Sequence, residues 1–273
     1  MKNKVKIYVN GFPKSGTTWV VRLMAYSLGS YAYGNGFKDS AFDEYWDNKG
    51  DYYIIHSHSK DISEYGSSDW KMIYIIRDFR DVIISSFFHH YGIDEDQVLL
   101  SPSNVHKKKI RRWLWGNLIF KIETYKIIRS WGSLSGGSSI IQFILGLLRL
   151  NWIKDLRHSS IGSWSTHVNF WTKGCNNVAV IRYEDLLQDT EGELTKAMKR
   201  LGVPVSIEKI QKAVSVNQFD SQKKLFQKKS EEEKAKHLRR GISGDWVRFL
   251  NKNTIRIIRD VHGETMNKNG YKI

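Results

Sequence analysis

The sequence predicts an α/β fold in which an open, mainly parallel sheet is flanked by helices. One observation is a strand, a loop and a helix that follow one another over residues 5–28. Another is the unbroken apolar run at 72–76, which is typical of a parallel strand buried on both faces. Strands that alternate with helices in this order indicate an open sheet whose ligands bind beyond the carboxyl ends of the strands.

The first of these stretches predicts a binding site for an anion. Residues 5–10 alternate apolar and polar side chains as a short strand does, and Gly11, Pro13 and Gly16 then build a turn. Apolar residues return at helical spacing from Thr17 onward. The N–H groups at a helix start are unpaired, and the helix dipole favours negative charge there. We therefore expect this P-loop-like stretch to hold a phosphate or a similar group.

The remaining elements are predicted from the same patterns. Residues 29–50 are rich in glycine and aromatic residues and are predicted to form a loop. The further predicted elements are strands at 52–55 and 178–181, and helices at 81–91, 164–172, 191–201, from 207 and from about 251. The alternation is interrupted at about 92–163, which we interpret as a helical insertion into a single domain spanning 1–273.

Composition limits the setting and the partners. Cys175 is the only cysteine, so no disulfide can form within the chain, and a cytoplasmic location is the simplest interpretation. The formal net charge of +15 favours anionic partners. Residues 106–131 hold eight Lys or Arg against one Glu, so peripheral contact with an anionic membrane is one interpretation of this segment. No nucleic-acid partner is expected, because no zinc-finger or RNA-recognition signature accompanies the charge.

The position of the lysine distinguishes the first loop from a Walker A loop. Gly11 and Gly16 have the Walker A spacing, but Thr17 stands where the Walker A lysine would be, and the lysine is instead Lys14. The string PKSGTTW resembles the 5′-phosphosulfate loop of the sulfotransferases that use 3′-phosphoadenosine-5′-phosphosulfate (PAPS). The resemblance implies that PAPS is the co-substrate and that consecutive loop and helix residues contact it: Lys14, Ser15, Gly16, Thr17, Thr18 and Trp19.

Two more stretches resemble the family's motifs for the 3′-phosphate of the donor. In YIIRDFRDVIISSFFHHY, Arg77 and Ser85 have the spacing of the Arg and Ser that contact this phosphate. In RRGISGDW, the resemblance implies that Arg239, Arg240 and the N–H group of Gly241 close over the same phosphate. Arg240 replaces the usual Lys, which keeps the charge but changes the donor geometry. The alternative for Arg77 is an ion pair with one of the aspartates that follow it.

The resemblance also implies that aromatic side chains contact the adenine. The string IRYEDLL carries Tyr183 at the position of the family's adenine-contacting tyrosine. Phe219 would stack on one side of the base and Trp19 on the other. Packing in the core is the alternative role for each of these aromatic residues.

A histidine is expected to act as general base. An acceptor hydroxyl must lose its proton as it attacks sulfur, and His is the residue most often used near neutral pH. The string IIHSHSK aligns His58 with the family's base and His56 with a family lysine. That lysine and a following proline are missing here, which leaves open whether His56 orients the nucleotide or competes as the base.

The resemblance implies in-line transfer of a sulfuryl group to a hydroxyl acceptor, less readily to an amine. His58 would deprotonate the acceptor, and Lys14 would stabilise the charge on the leaving group. No metal is expected, because the lysine and the helix start supply the positive charge that Mg²⁺ supplies in kinases. The acceptor stays open between a small molecule, a glycan and a lipid, and the insertion is expected on the acceptor side.

Two other functions are compatible with parts of the sequence. A P-loop nucleotide kinase shares the strand, loop and helix, although Thr17 in the lysine position argues against it. A non-catalytic protein that binds anionic lipid or nucleic acid would use the basic segment 106–131. Binding of adenosine 3′,5′-bisphosphate (PAP) without Mg²⁺ would separate the transferase from the kinase.

Overall fold

A parallel sheet forms the centre of the protein in a computed structural model that describes residues 5–30, 32–33, 51–61, 70–91, 163–218, 241–250 and 252–273. The described strands are β1 Val5–Gly11, β2 Ala32–Tyr33, β3 Tyr52–Ser57, β4 Trp70–Ile76 and β5 Val178–Arg182. Their order is β2-β3-β1-β4-β5, and every neighbouring pair is parallel. This arrangement confirms the open parallel sheet that the sequence predicts.

The described helices cover both faces of the sheet. They are α1 Thr17–Leu28, α2 Phe79–Tyr91, α3 Trp164–Trp171, α4 Tyr183–Gln188, α5 Thr190–Arg200, α6 Ile207–Val216 and α7 Lys252–Lys268, with a 3₁₀ helix at Asp245–Arg248. Successive side chains of β1 point to opposite layers. Ile7 and Val9 pack with α1, α5 and α6, whereas Tyr8 packs with α2, α3 and α7. Burial on both faces explains why β4 ends in the continuous apolar run 72–76.

The structure corrects the prediction for two segments and adds short elements. Residues 29–50 are not all loop, because Ala32–Tyr33 pairs with β3 as strand β2. Two residues are too few to show an alternating pattern. Helix α2 begins at Phe79 rather than at residue 81, because the Asp78 carboxylate accepts a hydrogen bond from the Arg80 N–H and caps the helix. Helix α4 and the 3₁₀ helix were not predicted because neither is long enough to show a helical period.

Several predictions fall on residues outside the described ranges. These are the insertion over 92–162, the basic segment 106–131 within it, and three predicted donor contacts, Phe219, Arg239 and Arg240. Among the described helices, none combines the length and the apolar character needed to cross a membrane.

Candidate active site

The carboxyl ends of four parallel strands bring the predicted site residues to one edge of the sheet. Strand β1 leads into the loop 12–16, β3 ends one residue before His58, β4 ends one residue before Arg77, and β5 ends one residue before Tyr183. Strand β3 lies on one side of β1 and β4 lies on the other, so the strand order reverses its direction at β1. Open parallel sheets bind their ligands at such a switch point.

The loop after β1 contains two residues in the left-handed backbone region. Lys14 has a φ of 69° and Gly16 has a φ of 98°. A Cβ atom at Gly16 would lie 2.7 Å from the Tyr183 ring, so glycine is required there for space as well as for conformation. Lys14 is a non-glycine residue with positive φ, a conformation that costs on the order of 1–3 kcal/mol and is concentrated at functional sites.

The start of α1 presents polar groups that lack protein partners. Gly16 caps the helix without a side-chain hydrogen bond. The backbone hydrogen bonds of the described residues do not use the N–H groups of Gly16, Thr17 or Thr18. The Ser15 hydroxyl is buried and has no hydrogen-bond partner within the described ranges. Together these donors and the helix dipole fit a phosphosulfate group.

Lys14 supplies a positive charge beside this helix start. Burial lowers the pKa of the Lys14 ammonium to about 8, and the positive charge of Arg77 contributes in the same direction. The ammonium therefore stays mostly protonated at neutral pH and loses its charge under moderately alkaline conditions. A cation in this place can stabilise negative charge that develops on a leaving group.

Arg77 connects the loop after β1 to the C-terminal part of the chain. Its Nη1 donates to the Lys14 carbonyl oxygen at 3.3 Å, and its Nη2 donates to the Ile242 carbonyl oxygen at 3.1 Å. The guanidinium lies over the Tyr183 ring, 4.3 Å from its centre. Its Nε is buried without a partner among the described residues, so this N–H remains available to a bound anion.

Two residues that sequence reasoning did not assign hold the C-terminal loop against α2. Asp81 accepts hydrogen bonds from the N–H groups of Gly244 at 2.7 Å and Trp246 at 3.0 Å. Arg80 pairs with Asp78 at 2.6 Å and lies 3.9 Å from the centre of the Trp246 ring. The string RDFRD shows these charges, but Gly244 lies 163 residues further along and no local pattern reveals it. Asp78 thus pairs with Arg80, and Asp81 binds the backbone of the C-terminal loop. Burial raises the pKa of the Asp81 carboxyl, and the positive charge of Arg77 opposes this shift.

Four other predicted contacts of the PAPS donor fall on described residues, namely Trp19, Ser85, Tyr183 and Gly241. Tyr183 is buried at the start of α4 and meets Trp19 edge to face, with ring centres 6.0 Å apart. The Trp19 Nε1 donates to the Asn217 carbonyl oxygen at 3.2 Å, which fixes the indole against α6. Gly241 has a φ of 63°, and Ser85 lies half-buried on α2. Their contacts with a nucleotide stay predictions.

Two histidines at the end of β3 have different hydrogen-bond partners. His58 Nδ1 lies 2.6 Å from the Gly11 carbonyl oxygen. Since a carbonyl oxygen only accepts, Nδ1 carries the hydrogen and Nε2 carries the lone pair. His56 Nε2 lies 2.8 Å from Thr17 Oγ1, and the two imidazole rings meet edge to face at 4.7 Å. His58 thus has its second nitrogen in the form that can accept a proton.

Burial keeps both imidazoles neutral. It lowers the pKa of His56 to about 3, and the neighbouring His58 adds to this shift. Burial also lowers the pKa of His58; the hydrogen bond to Gly11 opposes this shift, and the charge of Lys14 reinforces it. The neutral imidazole is the form required of a general base.

A helix start with free N–H groups among the described residues, a cation and a neutral imidazole is an arrangement suited to group transfer. A family model described as "Sulfotransferase domain" matches residues 4–270. Mouse Sulfotransferase 2A6 is 23% identical over 261 residues, which cover 86% of this chain and 75% of the relative. Sulfotransferase 2A1 of Macaca fascicularis is 34% identical over 98 residues, which cover 33% of this chain and 34% of the relative. The chain therefore belongs to the sulfotransferase family.

Solved structures share the fold. Mouse sulfotransferase SULT7A1 complexed with PAP aligns with a TM-score of 0.58 at 20% identity, covering 97% of this chain and 85% of that chain. Retinol dehydratase in complex with androsterone and inactive cofactor PAP aligns with a TM-score of 0.54 at 15% identity, covering 98% and 82%. With the family assignment, the chain is a PAPS-dependent sulfotransferase, as its sequence predicts. The assignment favours this activity over the kinase and over the non-catalytic binder.

Proposed function

We propose that this chain transfers a sulfuryl group from PAPS to a hydroxyl acceptor, less readily to an amine, with His58 as the general base. The observation that carries this proposal is the 2.6 Å hydrogen bond between His58 Nδ1 and the Gly11 carbonyl oxygen. This bond leaves the lone pair on Nε2, the atom that would take the acceptor proton. PAPS supplies an activated sulfuryl group with a phosphate leaving group.

His56 is proposed to orient the donor loop rather than to act as the base. Its Nε2 is engaged with the hydroxyl of Thr17, the first residue of α1. Because its pKa is lowered to about 3, His56 stays neutral at any working pH and adds no charge to the site. We therefore assign orientation to His56 and proton acceptance to His58.

Lys14 is proposed to stabilise the charge on the leaving phosphate. With its pKa at about 8 the ammonium is mostly charged at neutral pH, and its buried position strengthens its electrostatic effect. The same charge helps to lower the pKa of His58. Lys14 thus serves the reaction in a second way, because it helps to keep the base neutral.

The residues that would hold the donor form two groups. The phosphosulfate group would be held by Lys14, Ser15, Gly16, Thr17 and Thr18. The adenine and the 3′-phosphate would be held by Trp19, Arg77, Ser85, Tyr183, Phe219, Arg239, Arg240 and Gly241. Two buried polar atoms without partners among the described residues, Ser15 Oγ and Arg77 Nε, support this fit, because buried polar groups are rarely left unsatisfied. In the described part of the chain, no cluster of His, Cys, Asp or Glu is placed to hold a metal ion.

The acceptor side is proposed to involve the insertion at about 92–163. We expect this segment to select the acceptor and to take no part in donor binding. One solved protein of the same fold holds androsterone, which makes a steroid alcohol the first acceptor class to test. A glycan or lipid acceptor, peripheral membrane contact and a cytoplasmic location stay predictions from the sequence.

Transfer of labelled sulfate from PAPS across a panel of acceptors tests the proposed reaction. The panel contains a steroid alcohol, a phenol, a glycan, a lipid head group and an amine, each assayed with EDTA present. We expect label on at least one hydroxyl acceptor and binding of PAP without Mg²⁺. Label on none of the acceptors, together with Mg²⁺-dependent consumption of ATP, would contradict the proposal.

A further inference from the structure

A buried tyrosine–histidine pair connects the centre of the sheet to the backbone of His58. Tyr74 lies on β4 and His167 lies on α3, and both side chains are 0% exposed. The Tyr74 hydroxyl lies 2.7 Å from His167 Nδ1, and His167 Nε2 lies 2.9 Å from the His58 carbonyl oxygen. Since a carbonyl oxygen only accepts, His167 Nε2 carries the hydrogen, and Nδ1 accepts the hydroxyl hydrogen of Tyr74. Both ring nitrogens of His167 are therefore satisfied.

The His167 ring is fixed in place and neutral. It stacks on the Tyr74 ring at 5.5 Å and meets Phe12 edge to face at 5.8 Å. Burial lowers the pKa of His167 to about 3, although its hydrogen bond to the His58 carbonyl oxygen opposes this shift. A neutral ring keeps one donor and one acceptor, so the direction of both hydrogen bonds is preserved at any working pH.

The same face of α3 supports the next carbonyl group in a different way. The Ser59 carbonyl oxygen accepts from Trp171 Nε1 at 3.2 Å and also from Asn10 Nδ2 at 2.8 Å. Among the described residues, the His58 carbonyl oxygen accepts from His167. If the Trp171 donor is lost, the Ser59 carbonyl oxygen still accepts from Asn10 on β1. If His167 is lost, the His58 carbonyl oxygen loses the donor that it has among the described residues. Trp171 is thus a matched control for His167.

We propose that His167 is a positioning residue for sulfuryl transfer, which together with Tyr74 holds the His58 backbone so that Nδ1 reaches the Gly11 carbonyl oxygen. This proposal rests on the proposed function of His58 as the general base. His167 is buried away from solvent, so its effect passes through the backbone of His58 rather than through contact with a substrate. A misplacement of about 1 Å in a catalytic group can cost about 10²-fold in rate.

Two substitutions of His167 separate the hydrogen bonds from the packing. His167→Phe fills the cavity with an aromatic ring but removes the donor and the acceptor. His167→Gln supplies an amide N–H for the His58 carbonyl oxygen and an amide oxygen for the Tyr74 hydroxyl. Tyr74→Phe removes the hydroxyl that donates to His167 Nδ1, and Trp171→Phe is the control. Each variant of the 273-residue chain is measured for kcat, PAP affinity, melting temperature and the ¹⁵N chemical shifts of the His58 imidazole.

We expect His167→Phe to lower kcat by about 10²-fold while PAP affinity is unchanged. The ¹⁵N shifts of His58 should then change from a single Nδ1–H form to a mixture of tautomers. His167→Gln should restore most of kcat and the Nδ1–H form, Tyr74→Phe should give an intermediate loss, and Trp171→Phe a smaller one. If His167→Phe does not fold, the order of kcat among the other variants decides the proposal. The proposal requires that His167→Gln keeps most of kcat and that Tyr74→Phe loses more kcat than Trp171→Phe.

Three results would overturn the positioning role. One is wild-type kcat in a folded His167→Phe variant. Another is a Gln variant that melts like the wild type yet has lost as much kcat as the Phe variant. The third is a parallel fall of kcat and PAP affinity, which would mean that the pair only supports the core. Failure of the proposed function is seen separately: His58→Ala would then keep full activity, while the ¹⁵N shifts of His58 still report whether His167 positions its ring.

Discussion

The donor side and the base side of this site use charge in opposite ways. On the donor side, Lys14 and Arg77 are cations beside N–H groups of the α1 start that have no backbone partner among the described residues. On the base side, His56, His58 and His167 are neutral, because burial lowers the pKa of each imidazole. The two sides adjoin, since the charge of Lys14 contributes to the lowered pKa of His58.

The difference follows from what each side must do. A leaving group that gains negative charge needs cations and N–H donors that are not already used within the protein. A general base must be neutral and held by its second nitrogen, as the His58 ring is held at Nδ1 by the Gly11 carbonyl oxygen. The cation Lys14 follows the end of β1 and the neutral His58 follows the end of the adjacent strand β3, so both lie at one edge of the sheet. Substitutions of Lys14 and His58 should therefore both lower kcat, but the two groups should govern opposite limbs of the pH profile.

A large loss of kcat is expected from removing the cation of the donor side. Lys14→Ala should lower kcat by about 10²–10³ or more, because a preorganised positive group on the leaving group is lost. Much of the PAP affinity should remain, since Lys14 acts mainly on charge that develops during the reaction. Steady-state kinetics and calorimetric PAP titration measure both. The exposed Lys199 on α5 is the control position, and a Lys14→Ala variant with full kcat would remove Lys14 from the mechanism.

A smaller effect, confined to nucleotide affinity, is expected at Arg77. Arg77→Ala should weaken PAP binding by about 10- to 100-fold, the usual loss for a hydrogen bond to a charged group. Binding of adenosine 5′-monophosphate should barely change, because this ligand lacks the 3′-phosphate. Parallel titrations of the two nucleotides distinguish the roles. Equal losses for both would mean that the bonds from Arg77 to Lys14 and Ile242 matter for the fold rather than for the phosphate.

The plot of kcat/KM for the donor against pH should have an acid limb set by His58 and an alkaline limb set by Lys14. Transfer should fall as pH drops through the lowered pKa of His58, below the ordinary value of about 6.5, because the protonated ring cannot accept a proton. It should fall again above about pH 8 as Lys14 loses its charge. Lys14→Arg should move only the alkaline limb to higher pH, because a guanidinium stays protonated. If the alkaline limb of Lys14→Arg lies at the same pH as in the wild type, a group other than Lys14 causes it.

Much of the fold could be predicted because its cause is local. Residues 7–9 of β1 and 72–76 of β4 are apolar and buried between the two helix layers, and the helix starts follow from spacing and capping residues. Strand β2 was missed because it exists only through its pairing with β3. The early start of α2 depends on the Asp78 cap, which helical periodicity does not show.

The site was predictable where a motif is contiguous and unpredictable where it is assembled from distant residues. The stretch from Lys14 to Trp19 is a single string, and it lies after the end of β1, where open parallel sheets bind their ligands. The contacts of Asp81 with the C-terminal loop and of His167 with His58 span more than 100 residues. The difference between His56 and His58 is also invisible in the string IIHSHSK, because it depends on which backbone or hydroxyl oxygen each ring meets.

The paired substitutions His58→Ala and His56→Ala test the central claim most directly, with kcat and PAP affinity measured for both. The account predicts that His58→Ala lowers kcat by about 10²–10⁴, the usual contribution of a positioned base, with PAP affinity nearly intact. His56→Ala should lose less kcat and should raise the KM for the donor, because His56 contacts the Thr17 hydroxyl at the start of α1. A large loss of kcat in His56→Ala, with His58→Ala close to the wild type, would contradict the account.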